Sequence, residues 1–416
     1  VGACADATDQ NGNHPMNASG AVFVFGLDTG GDWQLQQKLT ASDRAADDYF
    51  GWAVRVDGNR MIIGARFESH DAMGQDSLYG AGSAYIFERQ AGGTWVQQQK
   101  IVASDRGKDD SFGVAVDISG DHALIGAWLE DHDTLGQDSM SMSGSAYVFK
   151  RATNGWWQEA QKLTSPDRSS GELFGGAVVL EDSTLLIGCQ GDGEDATGSN
   201  YLSYSGAVYV FDLDQSGAWG FGQKLVASDR NMQDAFGNSL DMDEDRILIG
   251  SFQDDPPGQP FNMRYGSAYL FERDMGGVFL EKAKLTASDG SDPDRFGQSV
   301  ALHGAHAMAG APFKQAERGA VYFFREDTLT GSWQSLTVSE PEVYPNPCHD
   351  MLYVECRGEM TGAFTYRLSD LSGRTVLSGV LADGSQPVPM HSLHSGLYFL
   401  YGKTGNLHFH AKVLKR

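Results

Sequence analysis

The chain has 416 residues, of which 55 are Asp or Glu and 31 are Lys or Arg, so that its formal net charge is −24 at pH 7. An acidic chain without a basic stripe does not suit phosphate backbones, which excludes nucleic acid as a ligand class. An acidic surface instead suits solubility outside the cell, the binding of cations, or a basic partner. No run of 18 apolar residues occurs, and we therefore predict no transmembrane segment.

Two sequence markers recur with one period along the first 340 residues or so. Phe-Gly pairs begin at Phe50, Phe112, Phe174, Phe236 and Phe296, which gives three steps of 62 residues and one of 60. A second marker, Gly-(Ser/Ala)-(Ala/Val)-(Tyr/Phe)-hydrophobic-Phe, starts at Gly20, Gly82, Gly144, Gly206, Gly266 and Gly319. Because two independent markers keep the same step, the sequence indicates a repeat protein.

One repeat contains four predicted strands. In the unit that begins at Phe50, apolar or alternating runs cover residues 50–56, 61–65, 82–87 and 94–101, with turn signals or a polar loop between them. This pattern predicts a four-stranded antiparallel sheet. Such a sheet cannot cover both of its faces alone, so its repetition predicts an all-β fold, a β-propeller of four-stranded antiparallel blades. We expect the Phe of each Phe-Gly pair to fill the space between blades and its Gly to permit close approach. A tryptophan that recurs in strand four is also interpreted as blade packing; it is Trp33, Trp95, Trp157, Trp219 and Trp333.

The pattern Phe-Gly-x-(Ala/Ser)-Val followed by Ile-Gly-Ala, as in residues 50–65 and 112–127, resembles the FG-GAP repeat family. That family includes the propeller heads of integrin α-subunits and many secreted bacterial proteins. The resemblance covers about residues 1–339 and implies a propeller of seven blades. The sequence contains five complete units and a first unit, beginning at Val1, that lacks its Phe-Gly strand. We therefore expect about six blades here, and seven in a longer full-length protein of which this chain is a fragment.

A second domain is predicted over residues 340–416. This segment contains seven acidic and seven basic residues, so the whole net charge of −24 belongs to the repeat region, residues 1–339. Short strands separated by Gly-containing turns predict a small β-sandwich. Cys348 and Cys356 bracket a predicted strand that would hold them beyond disulfide distance, and no disulfide is predicted.

Four motifs of this tail follow one another in the order found in the C-terminal sorting domain of type IX secretion, in its type A form. They are Tyr344-Pro345-Asn346-Pro347, the turn from Asp370 to Arg374, Gly396-Leu397-Tyr398-Phe399, and the basic end 412–416. The resemblance implies recognition by the type IX machinery, export across the outer membrane, cleavage of the tail, and release or attachment at the cell surface. The residues alone are also compatible with a small adhesion-type sandwich.

Acidic residues concentrate on one predicted face of the propeller, where the loop between strands two and three meets the link to the next blade. In that loop, carboxylates recur four and seven positions after the strand-two glycine, and twice at twelve positions. They are Glu68, Asp71 and Asp76, then Glu130, Asp133 and Asp138, then Asp192 and Asp195. Carboxylates at this spacing can supply oxygen ligands for Ca²⁺, and a solvated acidic surface is the alternative. The integrin-type calcium loop is missing, since Asp241, Asp243 and Asp245 match only its beginning.

Catalysis finds less support in the sequence. No Gly-x-Ser-x-Gly elbow, His-Glu-x-x-His motif or phosphate loop occurs. His70 and His132 recur at equivalent loop positions, as surface residues do, whereas a catalytic group is expected once. The residues that follow the Phe-Gly pairs contain no carboxylate or histidine, which weighs against a catalytic site at the axis; they are Trp52, Val114, Gly176, Asn238 and Gln298.

Trp52 and Trp128 are not shared by the other repeats and are the more interesting candidates for ligand contact, with blade packing as the alternative. The first functional hypothesis is a secreted or cell-surface, non-enzymatic binding or adhesion module that takes a protein or glycan ligand. The alternative is an extracellular carbohydrate-active or other hydrolytic enzyme with a site on a propeller face.

Overall fold

The computed structural model describes residues 1–29, 31–256, 258, 263–314, 318–327, 332–336, 342–344, 348–355, 364–370, 374–381, 386–404 and 407–415. Its contacts divide the chain into two compact units, Val1–Trp333 and Gln334–Arg416. The landmarks 345–347, 371–373, Cys356 and Arg416 lie outside the described residues.

The repeats form six successive antiparallel sheets in the described part of the chain. The first three sheets are β1 (Gly2–Ala3), β2 (Ala21–Leu27) and β3 (Trp33–Leu39); β4 (Val54–Asp57), β5 (Arg60–Ala65), β6 (Ser83–Arg89) and β7 (Trp95–Ile101); and β8 (Ala115–Ser119), β9 (His122–Ala127), β10 (Ser145–Arg151) and β11 (Trp157–Leu163). The next two are β12 (Phe174–Glu181), β13 (Thr184–Cys189), β14 (Ala207–Leu213) and β15 (Trp219–Leu225); and β16 (Phe236–Asp243), β17 (Arg246–Ser251), β18 (Ser267–Arg273) and β19 (Phe279–Leu285). The last contains β20 (Ser299–His303), β21 (His306–Ala311), β22 (Ala320–Glu326) and β23 (Trp333–Leu336). The predicted all-β propeller architecture is confirmed, with six blades by count.

The two sequence markers meet at each junction between blades. The marker glycine of one blade forms a parallel bridge with the Phe of the next Phe-Gly pair, as in Gly82 with Phe112 and Gly144 with Phe174. Gly82 has a φ of +86°, and a Cβ added there would lie 2.0 Å from the carbonyl oxygen of Phe112. Only glycine fits such an approach, and this requirement explains why both markers keep the same period.

The phenylalanine of each junction is buried between two blades. The ring of Phe112 contacts Tyr147 and Phe149 of its own blade, with ring centroids 5.5 and 6.1 Å apart. Its core cluster also contains Ile62 and Ile86 of the preceding blade. Burial of such a ring contributes roughly 2–3 kcal/mol, so each junction is a small hydrophobic core.

The first and last blades each leave an apolar surface exposed. Trp33 is 67% exposed, whereas its equivalent in the second blade, Trp95, is 7% exposed. In the last blade Phe323 is 41% exposed, and its equivalent Ile86 is fully buried. Blade packing therefore holds for Trp95, Trp157 and Trp219, but not for Trp33, because no described residue covers it.

The second unit contains two antiparallel sheets. Its strands are β24 (Glu342–Tyr344), β25 (Met351–Glu355), β26 (Phe364–Ser369), β27 (Thr375–Leu381), β28 (Gln386–Pro389), β29 (Gly396–Thr404) and β30 (Leu407–Lys415). The orders are β24-β25-β28 and β27-β26-β29-β30. Leu352 and Val388 of one sheet share a core cluster with Leu368 and Leu400 of the other, as expected for a small sandwich.

Candidate functional site

The first carboxylate of each acidic loop points inward, to a lysine of the same blade. Glu68 is fully buried, and the Lys100 ammonium lies 2.9 Å from it and 2.8 Å from Asp43 in the link before the blade. The Ser83 hydroxyl donates to Glu68 at 2.6 Å, and the Tyr85 hydroxyl donates to Asp43 at 3.0 Å. We call this group of a lysine with its loop and link carboxylates an ammonium node.

The ammonium node recurs from blade to blade. Equivalent nodes are formed by Lys162 with Glu130 and Asp105, by Lys224 with Asp192 and Asp167, and by Lys284 with Asp254 and Asp229. In the last blade the position of Glu68 is taken by Lys314, whose ammonium contacts Asp294 at 2.8 Å and Asp289 at 3.4 Å. The positive charge is thus retained even where it comes from a different position in the repeat.

A further acid lies beside most of these nodes. Burial raises the pKa of Asp48, of Asp110 and of Asp234 to about 7 in each case. Burial likewise raises the pKa of Glu172, the equivalent residue of the fourth blade, to about 8. The nearby loop carboxylates add to this effect, since a second negative charge disfavours ionisation.

The second carboxylate of each loop points outward and binds its own loop. Asp71 accepts the backbone N–H groups of Met73 at 2.9 Å and Gln75 at 2.8 Å. Asp133 and Asp195 make the same turn in the next two blades. Hydrogen bonding lowers the pKa of all three carboxyls: the largest contribution is the N–H of Gln75 for Asp71, that of Gln137 for Asp133, and the Thr197 side chain for Asp195.

The candidate calcium ligands are therefore directed to different partners. Glu68, Glu130 and Asp192 bind lysines, whereas Asp71, Asp133 and Asp195 bind backbone N–H groups. Asp76 and Asp138 accept hydrogen bonds from Arg106 and Arg168 through their backbone oxygens. Within the residues that the structure describes, no three His, Cys, Asp or Glu side chains are grouped for metal binding. The calcium site stays a prediction, which the described geometry does not assemble.

The repeats differ from one another around the propeller axis. The first strands of neighbouring complete blades lie side by side, so the residues that flank them gather around one opening. The position directly after strand two is Cys4, Arg66, Trp128, Gln190, Phe252 and Pro312 in successive blades. Each follows a junction glycine and a small residue that change little, so the variation is confined to this rim.

One part of the rim carries a cluster of aromatic rings around a guanidinium group. The Arg66 guanidinium carbon lies 3.7 Å from the ring centroid of Trp52, 4.3 Å from that of Phe67 and 5.9 Å from that of Trp128. Tyr49 contacts Phe67 and Trp52 edge to face, at 5.4 and 6.3 Å between centroids. These five residues form the axial cluster. It brings Trp52 and Trp128 together, although whether either contacts a ligand is untested.

The axial cluster holds two buried hydrogen-bond donors without acceptors. The Arg66 Nε–H and the Trp128 indole N–H are buried, and neither has a hydrogen-bond partner among the described residues. No carboxylate of those residues forms an ion pair with Arg66, and burial lowers the pKa of its guanidinium. Buried polar groups are normally paired, so two unpaired donors within one cluster depart from the usual pattern.

A second arginine with aromatic neighbours lies beside the Phe-Gly pair of the last blade. The Arg295 guanidinium carbon is 4.3 Å from the ring centroid of Phe313 and 5.6 Å from that of Phe252. Its Nε and that of Arg264 are buried without partners in the described part of the chain. Burial and then the charge of Arg264 lower the pKa of Arg295.

Two axial carboxylates were not recognised from the sequence as inner-strand acids: Asp117 was not considered, and Asp241 was considered only as the beginning of a calcium-type loop. Asp117 accepts the backbone N–H of Leu180 in the next blade at 2.9 Å, and Asp241 accepts that of Leu302 at 2.7 Å. Burial raises the pKa of Asp117 to about 6. Both carboxylates link successive blades. Both lie five positions after the Phe of a Phe-Gly pair. An alignment of the repeats on that Phe would have placed them at one position of the inner strand.

Repeated blades with glycine junctions and a separate sandwich define a repeat propeller joined to a small tail domain. The family model of the FG-GAP repeat matches residues 33–87, 95–149, 157–211, 219–271 and 279–324. These segments cover more than half of the chain, which therefore belongs to the FG-GAP repeat family. A second model, the secretion system C-terminal sorting domain, matches residues 342–416. The chain accordingly carries a type IX sorting domain and is secreted or attached to the outer cell surface.

No curated protein shows significant similarity to the chain. One similar solved structure is PorZ, described as an essential bacterial surface component of the type IX secretion system of Porphyromonas gingivalis, with 11% sequence identity and a TM-score of 0.34. That match covers 94% of this chain and 62% of PorZ, so the chain spans less than two thirds of it. Within the described residues, no helix has the length and hydropathy of a membrane span.

Proposed function

We propose that this protein is a non-enzymatic binding module that works outside the cell, and that its ligand contacts the axial cluster. The observation that carries this proposal is the coincidence of three features at one rim. The repeats diverge there, Trp52 is 40% exposed, and Arg66 and Trp128 keep buried donors without acceptors among the described residues. Residues needed only for folding recur in every blade, whereas these do not.

The chemistry around the axis favours binding over hydrolysis. General acid–base catalysis needs a carboxyl or imidazole group that is free to exchange a proton with the substrate. Asp117 and Asp241, which lie on the inner strands, are engaged with backbone N–H groups of the next blade. These two carboxylates thus hold successive blades together. The axial cluster itself contains aromatic rings and hydrogen-bond donors and no carboxylate.

Export and binding are assigned to different parts of the chain. The sorting domain, residues 342–416, implies an interaction with the type IX secretion machinery. The propeller then presents its loop face to a protein or glycan outside the cell. This division of roles agrees with the charge distribution, in which the tail is neutral and the repeats are acidic.

The experiment is to screen the purified full chain against glycan and protein arrays and to assay hydrolysis of every ligand that binds. We expect binding without turnover, weakened in Trp52→Ala. Trp156→Ala is the matched control, because Trp156 is 55% exposed and lies in a strand three to strand four turn, on the opposite face. Turnover of a bound glycan would overturn the non-enzymatic function, and equal binding by Trp52→Ala would overturn the location of the site.

A further inference from the structure

The rim arginines contrast with the charge of the whole chain. The protein has 55 acidic and 31 basic residues, yet Arg66, Arg264 and Arg295 make no ion pair with a described residue and keep a buried Nε–H without an acceptor. By comparison, Lys100 and Lys162 each contact two carboxylates. These three side chains are partly exposed, and a guanidinium group without a counter-charge is suited to a negatively charged group supplied from outside.

The packing of Arg66 determines which of its edges can bind. The ring centroid of Trp52 lies 3.7 Å from the guanidinium carbon and that of Phe67 lies 4.3 Å from it. Aromatic rings therefore pack against the guanidinium group. The N–H groups of the guanidinium are its remaining binding surface, and their fork geometry matches the two oxygens of a carboxylate. The ring centroid of Trp128 lies 5.9 Å from the guanidinium carbon and completes the aromatic surroundings of Arg66.

The exposed ring of Trp52 restricts the ligand further. A flat aromatic surface, 40% exposed, suits the C–H face of a sugar ring and gives nothing to a small inorganic anion. The guanidinium N–H groups of Arg66 suit a carboxylate, because a neutral sugar accepts hydrogen bonds but supplies no counter-charge. Arg295 repeats the arrangement of an arginine near aromatic rings, beside Phe313 and Phe252.

We propose that the axial cluster binds a carboxylate-bearing saccharide, with the carboxylate on the accessible N–H groups of the Arg66 guanidinium and the sugar ring on Trp52. This inference rests on the proposed binding function and assigns its ligand class. Recognition of uronic acid units distinguishes it from a general glycan lectin, because removal of the charge is expected to abolish binding while the sugar ring stays the same.

The test is calorimetric titration of the full chain with oligomers of galacturonate, mannuronate and glucuronate, each compared with its methyl ester. We expect at least one acid to bind and its ester to bind about tenfold more weakly or not at all, since a charge-assisted bidentate pair is lost. Affinity for the acid is expected to fall by about tenfold in Arg66→Gln and to fall with added salt.

Matched controls separate the site from general effects. Arg89→Gln alters an exposed residue at the end of β6, and Trp156→Ala alters one in the turn between β10 and β11. Both lie toward the opposite face of the propeller, and both variants are expected to bind as the wild type does. Arg66→Lys retains the charge and serves as a second variant if Arg66→Gln does not fold. We expect Arg66→Lys to bind the acid more weakly than the wild type does. We also expect this variant to bind the acid more tightly than it binds the methyl ester.

The outcomes distinguish this inference from the function on which it rests. Equal affinity for acid and ester, or unchanged affinity in Arg66→Gln, overturns the carboxylate assignment and leaves the binding module intact. Failure of every acid while the arrays identify a neutral glycan or a peptide also overturns it alone. Failure of every acid and of both arrays overturns the inference and the proposed function together.

Discussion

The ammonium node shows how single residues hold neighbouring blades together. Lys100 is almost fully buried with Glu68, and its second partner, Asp43, belongs to the link from the preceding blade. Removal of one member of a buried ion pair leaves the other charges uncompensated, which is more damaging than the absence of the whole group. The last blade agrees with this requirement, since Lys314 takes the position of the loop acid and restores the positive charge.

Replacement of the node lysine is therefore expected to destabilise the propeller. We expect Lys100→Met to lower the free energy of unfolding by about 3 kcal/mol, because Glu68 would remain buried without its cation. Lys108→Met is the matched control, since the Lys108 side chain is exposed and 3.6 Å from Asp109. Urea unfolding of both variants measures the difference, and equal stability of the two would contradict a structural role for the node.

The raised pKa values of the buried acids predict how stability depends on pH. Asp48, Asp110 and Asp234 have a pKa of about 7 in the folded protein, and an Asp has an ordinary value of about 4 when unfolded. Between these values the folded state binds more protons, so stability decreases as the pH rises from about 4 to about 8. We expect the melting temperature to be higher at pH 5 than at pH 8.

The variant that tests this linkage replaces Asp48, Asp110 and Asp234 together by Asn. An amide keeps an acceptor for the backbone N–H groups of Ala45, Gly107 and Asn231 and cannot ionise. Its melting temperature is expected to vary less between pH 5 and pH 8 than that of the wild type. A wild-type melting temperature that rises over this interval would refute the assignment.

Calcium offers a third test at the scale of the residue. Glu68 and Glu130 would have to leave their lysines to bind Ca²⁺, and Asp71 and Asp133 would have to leave their own backbone N–H groups. This geometry favours a solvated surface only for Asp71 and Asp133, since Glu68 and Glu130 are buried beside their lysines. We expect no heat and no thermal shift when calcium is titrated into the full chain. A saturable heat accompanied by stabilisation would establish cation binding instead.

At the scale of the element, the closest approaches occur between strand two of one blade and the Phe-Gly pair of the next. A Cβ added at Gly126 of β9 would lie 1.9 Å from the carbonyl oxygen of Gly175. Because the obstacle is backbone, the two blades would have to separate. We expect Gly126→Ala to lower the free energy of unfolding by about 3 kcal/mol, the upper range for overpacking. Gly92→Ala, with no atom within 4 Å of the added Cβ, is the control in the same urea unfolding measurement, and similar stability of both would contradict the tight junction.

Much of the blade could be predicted from the sequence, because turns and alternation are local properties. The second, third and fourth strands of the unit that begins at Phe50 lie within one or two residues of their predicted bounds. The first strand begins at Val54 rather than Phe50. The reason is that Phe50 pairs sideways with Gly20 of the preceding blade, which no local pattern reveals.

The candidate site was predicted only in part, for a related reason. Trp52 and Trp128 could be selected because they break the repeat. Arg66 could not, because its aromatic surroundings come from two segments that are distant in the sequence. Trp52 lies in the first-strand region of the same blade and Trp128 in the next blade. Exposure of Trp33 was likewise unpredictable, since it depends on what covers that side of the blade and not on the residue itself.

At the scale of the whole molecule, the repeats and the tail differ in net charge. The excess of acidic residues belongs to the repeats, where lysines pair with several of the carboxylates. The rim of the axis carries arginines without carboxylate partners among the described residues. Focusing of positive charge in an acidic protein directs an anionic ligand to one place and repels it elsewhere. The neutral tail contributes little to that field.

Deletion of residues 342–416 tests whether export depends on the tail and binding on the propeller. In a bacterium with a type IX secretion system, we expect the full chain in the medium or on the cell surface and the truncated chain inside the outer membrane. Trp52→Ala in the full chain is expected to be exported normally and to lose ligand affinity, because the rim takes no part in sorting. Immunoblots of the medium, surface and cell fractions measure this, with protease resistance of the truncated chain as the check that its propeller is folded. Export of a folded, truncated propeller would show that the sorting signal lies elsewhere, and loss of export in Trp52→Ala would show that the two functions share residues.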